Sequence, residues 1–413
     1  MRVRSDTGLI DAIDTAFGAR PPRRLGVAVS GGSDSLALLH LLHGWGKAEI
    51  AAVTVDHRLR PDSASEALHV AWICEGLGVS HDILEWRGWD GKGNLQAEAR
   101  RTRFAMLAEW AQARGAEAVA LGHTMDDQAE TVLMRLAREA GVDGLSGMAP
   151  MVRRHGVTFR RPLLGQRRED LRALLERRGV RWVEDPSNAD EGFERVRARA
   201  VLAALEPLGI TVERLAGSAL HLGGARDALA MAAAEFAREH ARVVAGDVLF
   251  DRTRLNRLAP ELHRRVLAGA LRFVASAEYP PRREPMSAAL AACTVPENVT
   301  LHGCRVLVSD MTVRVVREHA AVAALAGPTD APWDSRWVLE GPHTPDLEVR
   351  ALGEAVKDCP DWRGTGLPRA TLLASPSVWR GETLVAAPVA GLHNGWVARA
   401  PGAADFAASL LAH

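Results

Sequence analysis

Leu25-Gly26-Val27-Ala28-Val29-Ser30-Gly31-Gly32-Ser33-Asp34-Ser35-Leu36-Ala37-Leu38-Leu39, residues 25–39, is the stretch whose reading decides the fold. A short apolar run, right for a strand, ends at Val29, and residues 36–42 are apolar nearly all round, as a buried helix requires. The hexad Ser30-Gly31-Gly32-Ser33-Asp34-Ser35 lies between them. Two adjacent glycines let the backbone turn sharply and come close to a ligand. The free N–H groups of the helix start, with two or three hydroxyls, then face an anion such as a phosphate. A Ser-Gly turn capped by Ser33 or Asp34 is the plainer reading of the four residues alone. The lysine of a Walker loop is missing, so this is not GxxxxGK[ST].

Outward from this turn, strand and helix signals alternate. Strands are expected at residues 50–55, 81–84 and 118–121, and helices at about 63–76, 94–114 and 125–138. That alternation predicts an α/β fold with a parallel sheet covered on both faces, its ligand at the carboxyl ends of the strands near a switch in strand order. Residues 141–150 are glycine-rich and irregular, a basic helix is expected at about 166–178, and another segment, 193–205, looks helical before Pro207 and Gly209. Residues 211–275 read as helical and alanine-rich, and 298–317 as a β-hairpin broken at Ser309-Asp310. An Ala/Gly/Pro-rich linker candidate covers 321–332. The expected division is a catalytic domain over 1–208, a mainly helical middle domain over 209–320 and a small, mostly β domain over 333–413.

Two further clusters carry polar groups at helical spacing. In Leu121-Gly122-His123-Thr124-Met125-Asp126-Asp127-Gln128-Ala129-Glu130-Thr131, the 100° step per residue puts Ala129, Val132, Leu133 and Leu136 on the buried face and Asp127 and Glu130 together on the other. Spacing alone favours a solvated acidic face near a helix start; a carboxylate pair gripping an ammonium group is the sharper alternative. In residues 94–104, Gln96, Arg100 and Arg103 share one stripe, which suits phosphate or carboxylate binding or, more plainly, pairing with local acids.

Composition sets the outer limits. The 413 residues carry no net charge, 47% apolar and 25% charged residues, as in soluble globular proteins rather than polycations. Charge is nonetheless uneven: residues 153–181 hold ten arginines against Glu169, Asp170 and Glu176. An RNA-binding face and a solvated helix face are about equally good readings of that stretch. Cys74, Cys293, Cys304 and Cys359 show no CxxC spacing, which suits a reducing compartment without zinc or a cluster. The opening MRVRSDTGLIDAIDTAF reads as a short amphipathic helix rather than a signal peptide, and no run of about 18 apolar residues exists, so a cytoplasmic protein is expected.

Eight segments together resemble the tRNA(Ile)-lysidine synthetase family of the PP-loop ATP pyrophosphatase superfamily: SGGSDS at 30–35, VDHRLRPDS at 55–63, NLQAEARRTRF at 94–104, GHTMDDQAET at 122–131, GLSGM at 144–148, RPLL at 161–164, WVEDPSN at 182–188 and FERVRAR at 193–199. The resemblance covers roughly residues 20–205. It implies a ligase that binds ATP on Ser30, Gly31, Gly32, Ser33, Asp34 and Ser35, with Mg2+ bridging Asp34 and the pyrophosphate. The cytosine O2 of a CAU anticodon in tRNA(Ile) would attack the α-phosphate, and the ε-amine of L-lysine would then displace AMP from C2. Asp127 and Glu130 match the family's lysine-site acids, and Arg103 its functional arginine; His57, Arg100, His123 and Asp126 would support the site. Arg153, Arg154, Arg167, Arg168, Arg195, Arg197 and Arg199 are the tRNA-binding candidates. The chain departs from the family at Thr124, where a second histidine is frequent, at Arg58, where glycine is usual, and at Val196, where asparagine is common. Rival readings are a cytosine-thiolating PP-loop enzyme, a glutamine-fed ligase and a non-catalytic RNA-binding relic. The sequence sets no oligomeric state and leaves a dimer open.

Overall fold

The computed structural model describes residues 6–58, 63–87, 95–184 and 194–411, without the side chains of Gln96 and Ala97. Parts of the motifs at 55–63, 94–104, 182–188 and 193–199 therefore lie outside the described residues. The first unit, Met1–Arg226, opens with α1 (Asp6–Phe17) and then alternates: β1 (Arg24–Ala28), α2 (Ser33–Trp45), β2 (Glu49–Asp56), α3 (Ser63–Leu77), β3 (Ser80–Glu85), α4 (Leu95–Arg114), β4 (Ala118–Leu121) and α5 (Met125–Leu136). It continues through α6 (Val142–Leu145), β5 (Met151–Arg154), β6 (Val157–Arg160), α7 (Arg168–Arg177) and α8 (Glu194–Leu205). The strand order is β3-β2-β1-β4-β6-β5, parallel except where β5 pairs antiparallel with β6.

Both faces of this sheet are buried, which is why its strands read as continuous apolar runs. Leu25, Val27 and Val29 point to the face covered by α1, α2, α3 and α7, where Leu36, Leu38, Leu39, Leu41 and Leu42 are fully buried. Ala28, Val53, Val119 and Leu121 point to the other face, against Phe104, Leu107 and Trp110 of α4. Gly26 sets that approach: a Cβ there would lie 2.6 Å from the Trp110 ring. The hairpin β5–β6 falls in a stretch read only as basic. It turns at His155 and Gly156, both at positive φ, and it carries Arg153 and Arg154 at the sheet edge.

The second unit, Asp227–His413, begins inside α9 (Val212–His240). The helical reading of 211–275 is corrected here. Ala245 and Gly246, both at positive φ, make the turn of a hairpin between β7 (Ala241–Val244) and β8 (Asp247–Asp251), before helices α10 (Arg252–Asn256) and α11 (Pro260–Ala275). A two-residue turn of that hand matches strand twist, and its signal was Ala-Gly between two β-branched runs. The stretch 298–317 holds three strands rather than two: β9 (Val299–Leu301), β10 (Cys304–Val308) and β11 (Thr312–Arg317), in the order β7-β8-β11-β10-β9. Towards the carboxyl end a four-stranded antiparallel sheet includes Glu348–Ala351, Pro376–Arg380 and Thr383–Ala386.

Buried charges join these parts of the second unit. Asp247, 2% exposed, accepts from Arg314 Nε at 2.8 Å and from Thr371 Oγ1 at 2.6 Å. Asp334 takes both Arg317 nitrogens at 2.9 Å, and Arg336 donates to the Gly246 carbonyl at 2.7 Å. Among the described residues, no helix is long and apolar enough to cross a membrane.

Two stability measurements check this account. Asp247→Ala strands the Arg314 guanidinium in the interior and should cost about 3–5 kcal/mol in denaturant unfolding; a loss under about 1 kcal/mol would show the pair is dispensable. Burial first, then the charges of Arg178 and His43, push the His40 imidazole down from 6.5 to about 4. The unfolded chain therefore takes up this proton first, and stability falls as pH drops from 6.5 towards 4, by at most about 1.4 kcal/mol per pH unit. His40→Leu should flatten that limb, and an unchanged slope would assign it elsewhere.

Candidate active site

β1 and β4 are parallel neighbours in register, with Ala28 opposite Leu121, so the chain leaves both at the same edge of the sheet. Strand order also reverses there, β2 and β3 lying on one side of β1 and β4 on the other. Both long motifs are thus delivered to the crevice where such sheets hold ligands. Gly31 has φ +87° and its carbonyl accepts from Val183 N at 2.9 Å. The turn is braced by Ser35 Oγ, which accepts from Ser30 N at 3.1 Å and donates to Gly32 O at 2.9 Å. Gly32 is the N-cap of α2 and supplies no side-chain cap, leaving the first N–H groups open to an anion. Thr54 Oγ1 holds the turn from below through Val29 O, 2.8 Å away. Gly122, the first residue beyond β4, lies so close that a Cβ on it would be 3.0 Å from the backbone of Asp34 and Ser35.

The acids of the second motif are buried, Asp127 5% and Glu130 1% exposed, which excludes the solvated face. Leu136, expected on the buried face, is 54% exposed instead, where α5 runs out past the core. Thr124 caps α5 in a capping box: Asp127 N donates to Thr124 Oγ1 at 3.3 Å and Thr124 N to Asp127 Oδ2 at 2.8 Å. Oδ1 is left for the cleft, where Arg168 Nη2 lies at 3.1 Å and Arg195 Nη1 at 3.4 Å. Glu130 Oε1 accepts from Arg199 Nε at 2.7 Å and Arg168 Nη1 at 3.3 Å, while its Oε2 is buried without a hydrogen-bond partner among the described residues. Arg168 Nε reaches back to Asp34 Oδ2 at 2.8 Å. One guanidinium therefore links the glycine turn to both acids of α5. Its own N–H is fixed by Asp126 Oδ2 at 2.7 Å, and Asp126 also pairs with Arg167 at 3.5 Å.

Asp34, Gly122, Asp127, Arg168, Arg195 and Arg199 line a cavity of about 760 Å³, together with His57, Arg103 and His123. A smaller cavity of about 260 Å³ lies against His57, Arg100, Arg103, Phe104 and His123. Burial works to raise the Asp127 carboxyl, but Arg168, Arg195, His123 and the Thr124 N–H outweigh it and hold it below the usual range. At Asp34 burial wins over Arg168 and the carboxyl is raised. Burial, reinforced by Arg161, Arg103 and Arg195 against Asp127, pushes His123 down to about 3, so the imidazole is neutral. His57 is lowered too, by burial and then Arg103, against Asp56, and its ring meets Trp86 edge-on at 5.4 Å.

Of the residues singled out from sequence, the turn 30–35 apart from Gly31, with His57, Arg103, His123 and Asp127, lines the large cavity, and Glu130 touches two of its arginines. Arg168, Arg195 and Arg199, grouped with a basic surface, line it as well. Arg153 and Arg197 are exposed, Arg154 lies over the Phe104 ring at 4.7 Å, and Arg167 pairs with Glu213. Sequence reading missed Thr54, Gly122 and Arg172. Gly122 and its motif were in view, but nothing in one sequence shows which backbone a glycine must clear. Arg58, noted as a departure from glycine, has φ 50°, the left-handed region where glycine is at ease; its N–H bonds Asp56 Oδ1 and its guanidinium Glu85.

Comparison with known proteins agrees with this geometry. A family model described as a PP-loop domain matches residues 6–205. The tRNA(Ile)-lysidine synthase of Ruegeria pomeroyi is 49% identical over 410 residues, covering 98% of each chain. Those of Hyphomonas neptunium (39% identical, 71% of this chain and 83% of the relative) and Rhizobium meliloti (47%, 48% of each) are also similar. At such identity over nearly its whole length, the chain belongs to the tRNA(Ile)-lysidine synthase family.

Proposed function

We propose that the chain is a carbon–nitrogen ligase that joins L-lysine to C2 of the wobble cytosine in the CAU anticodon of tRNA(Ile), consuming ATP and releasing AMP and pyrophosphate. The observation that carries the reading is the link Asp34–Arg168–Asp127, which joins a phosphate turn to a buried acid in one cavity, with Glu130 held on the same guanidinium. In this reading the open N–H groups of α2 and the hydroxyls of Ser30, Ser33 and Ser35 hold the phosphates of ATP. The cytosine O2 attacks the α-phosphate and pyrophosphate leaves, so that an oxygen that departs poorly becomes one that departs well. The lysine amine then attacks C2 and AMP leaves. Asp127, kept ionised, accepts from the amine and orients it, with Glu130 beside it and Arg103 facing the adenylate or the lysine carboxylate.

Magnesium fits this site through one carboxylate. Among the described residues no group of three or more His, Cys, Asp or Glu side chains could hold a metal alone. Mg2+ usually takes one or two carboxylates plus phosphate oxygens and water, and Asp34 stands in the phosphate turn. Bound there, the ion would offset charge on the departing pyrophosphate. Residues 1–208 are the proposed catalytic part, with 209–320 and 333–413 contacting the tRNA. Exposed Arg153 and Arg197 are better placed than Arg168 for phosphates of that RNA. A sulfur-relay reading is disfavoured by Cys74 and Cys293, which burial pushes up to about 11, and by Cys304, at about 12.

Incubation with tRNA(Ile) bearing CAU, ATP, magnesium and labelled lysine should label the RNA, with one AMP released per lysine; unlabelled RNA overturns the reading. Asp127→Asn, which keeps an acceptor for Thr124 N, should lower lysine transfer about 100-fold or more while adenylated tRNA still forms without lysine. Full transfer by that variant would remove the assigned role. Gly122→Ala should push the phosphate turn out of place and raise the KM for ATP about tenfold or more; an unchanged KM would mean the turn tolerates the methyl.

A further inference from the structure

The acid pair is already occupied by a cation. Arg168 spends each of its three guanidinium nitrogens on a different carboxylate: Nε on Asp34 at 2.8 Å, Nη2 on Asp127 at 3.1 Å and Nη1 on Glu130 at 3.3 Å. An ammonium group arriving at Asp127 and Glu130 meets a like charge and finds Oδ1 and Oε1 in use. The fit is nonetheless incomplete, because Glu130 Oε2, in a residue 1% exposed, has no hydrogen-bond partner among the described residues. A buried carboxylate oxygen in that condition points to a donor still to come. An ammonium group carries three donors on one atom and can serve both oxygens.

We propose that Arg168 is an internal counter-cation that covers the acid pair until a polyphosphate draws it onto the glycine turn, so that amine binding is coupled to nucleotide binding. The pull has a direct physical origin. Arg168 already touches the turn through Asp34, and phosphate oxygens there offer guanidinium a stronger, two-pronged partner than three shared carboxylates do. The main chain of Arg168 is held by Asp126, so the change is a rotation of the side chain about a fixed anchor. Arg195 and Arg199 remain on Asp127 and Glu130 from α8 and keep the acids ionised while the guanidinium moves. The inference rests on the proposed lysine site and adds how that site is opened.

Calorimetric titration of the full chain with L-lysine, without tRNA, tests it in the presence and absence of magnesium and α,β-methylene ATP. In the wild type the analogue should raise lysine affinity about tenfold, and lysine should raise analogue affinity by the same factor, since coupling between sites is reciprocal. In Arg168→Ala, lysine should bind without nucleotide about as tightly as it binds the nucleotide-loaded wild type, and the factor should fall to about one. Arg168→Lys, which keeps a charge on a shorter reach, should retain part of it. Wild-type lysine affinity that ignores the analogue, or a folded Arg168→Ala protein that keeps the full factor, overturns the proposal. Should the alanine variant fail to fold, the wild-type pair of titrations and the lysine variant decide. Labelling of tRNA measured in parallel separates the two readings: incorporation without coupling removes only the role of Arg168, whereas no incorporation removes the lysine site itself.

Discussion

Everything in the catalytic unit follows from the pairing of β1 with β4. With Ala28 opposite Leu121 in a parallel ladder, the residues after Val29 and after Leu121 have to emerge side by side. The fit is so tight that a Cβ on Gly122 would come to 3.0 Å from the backbone of Asp34 and Ser35 and press on it. A one-residue slip of either strand would turn its side chains to the opposite face and misplace the motif it delivers. Packing of the central leucines of α2 under one face and of Phe104, Leu107 and Trp110 over the other holds that register.

Burial then changes what the charges mean. The same Asp-x-x-Glu spacing on an exposed helix would be worth a few tenths of a kcal/mol with a helix start. Buried, Asp127 and Glu130 need cations, and Arg168, Arg195 and Arg199 supply them. With Asp34, which Arg168 also reaches, three carboxylates share these three guanidinium groups.

Much of this was legible in the sequence for identifiable reasons. β4 matches its expected limits because a four-residue apolar run ends at a glycine, and the hexad stood out because strand, glycines and buried helix are contiguous. The hairpins at β5–β6 and β7–β8 were hidden because their turns, His155-Gly156 and Ala245-Gly246, sit inside arginine-rich and alanine-rich stretches with strong competing readings. Arg168 was assigned to a surface because a run of arginines says how much charge is present, not which side chain turns inward. That direction is set by carboxylates 134, 41 and 38 residues away in the chain.

Asp127 is bound by two obligations at once: Oδ2 closes the first turn of α5 while Oδ1 faces the cleft. Glu130, one turn further on, has no such duty to the backbone, and among the described residues one of its oxygens is unserved. A deep mutational scan scored only for protein abundance would therefore deplete changes at Asp127 for the helix start as well as for its ion pairs, and changes at Glu130 for its ion pairs alone. A second scan, scored for growth that depends on the enzyme, separates what each position does for the helix from what it does in the cleft.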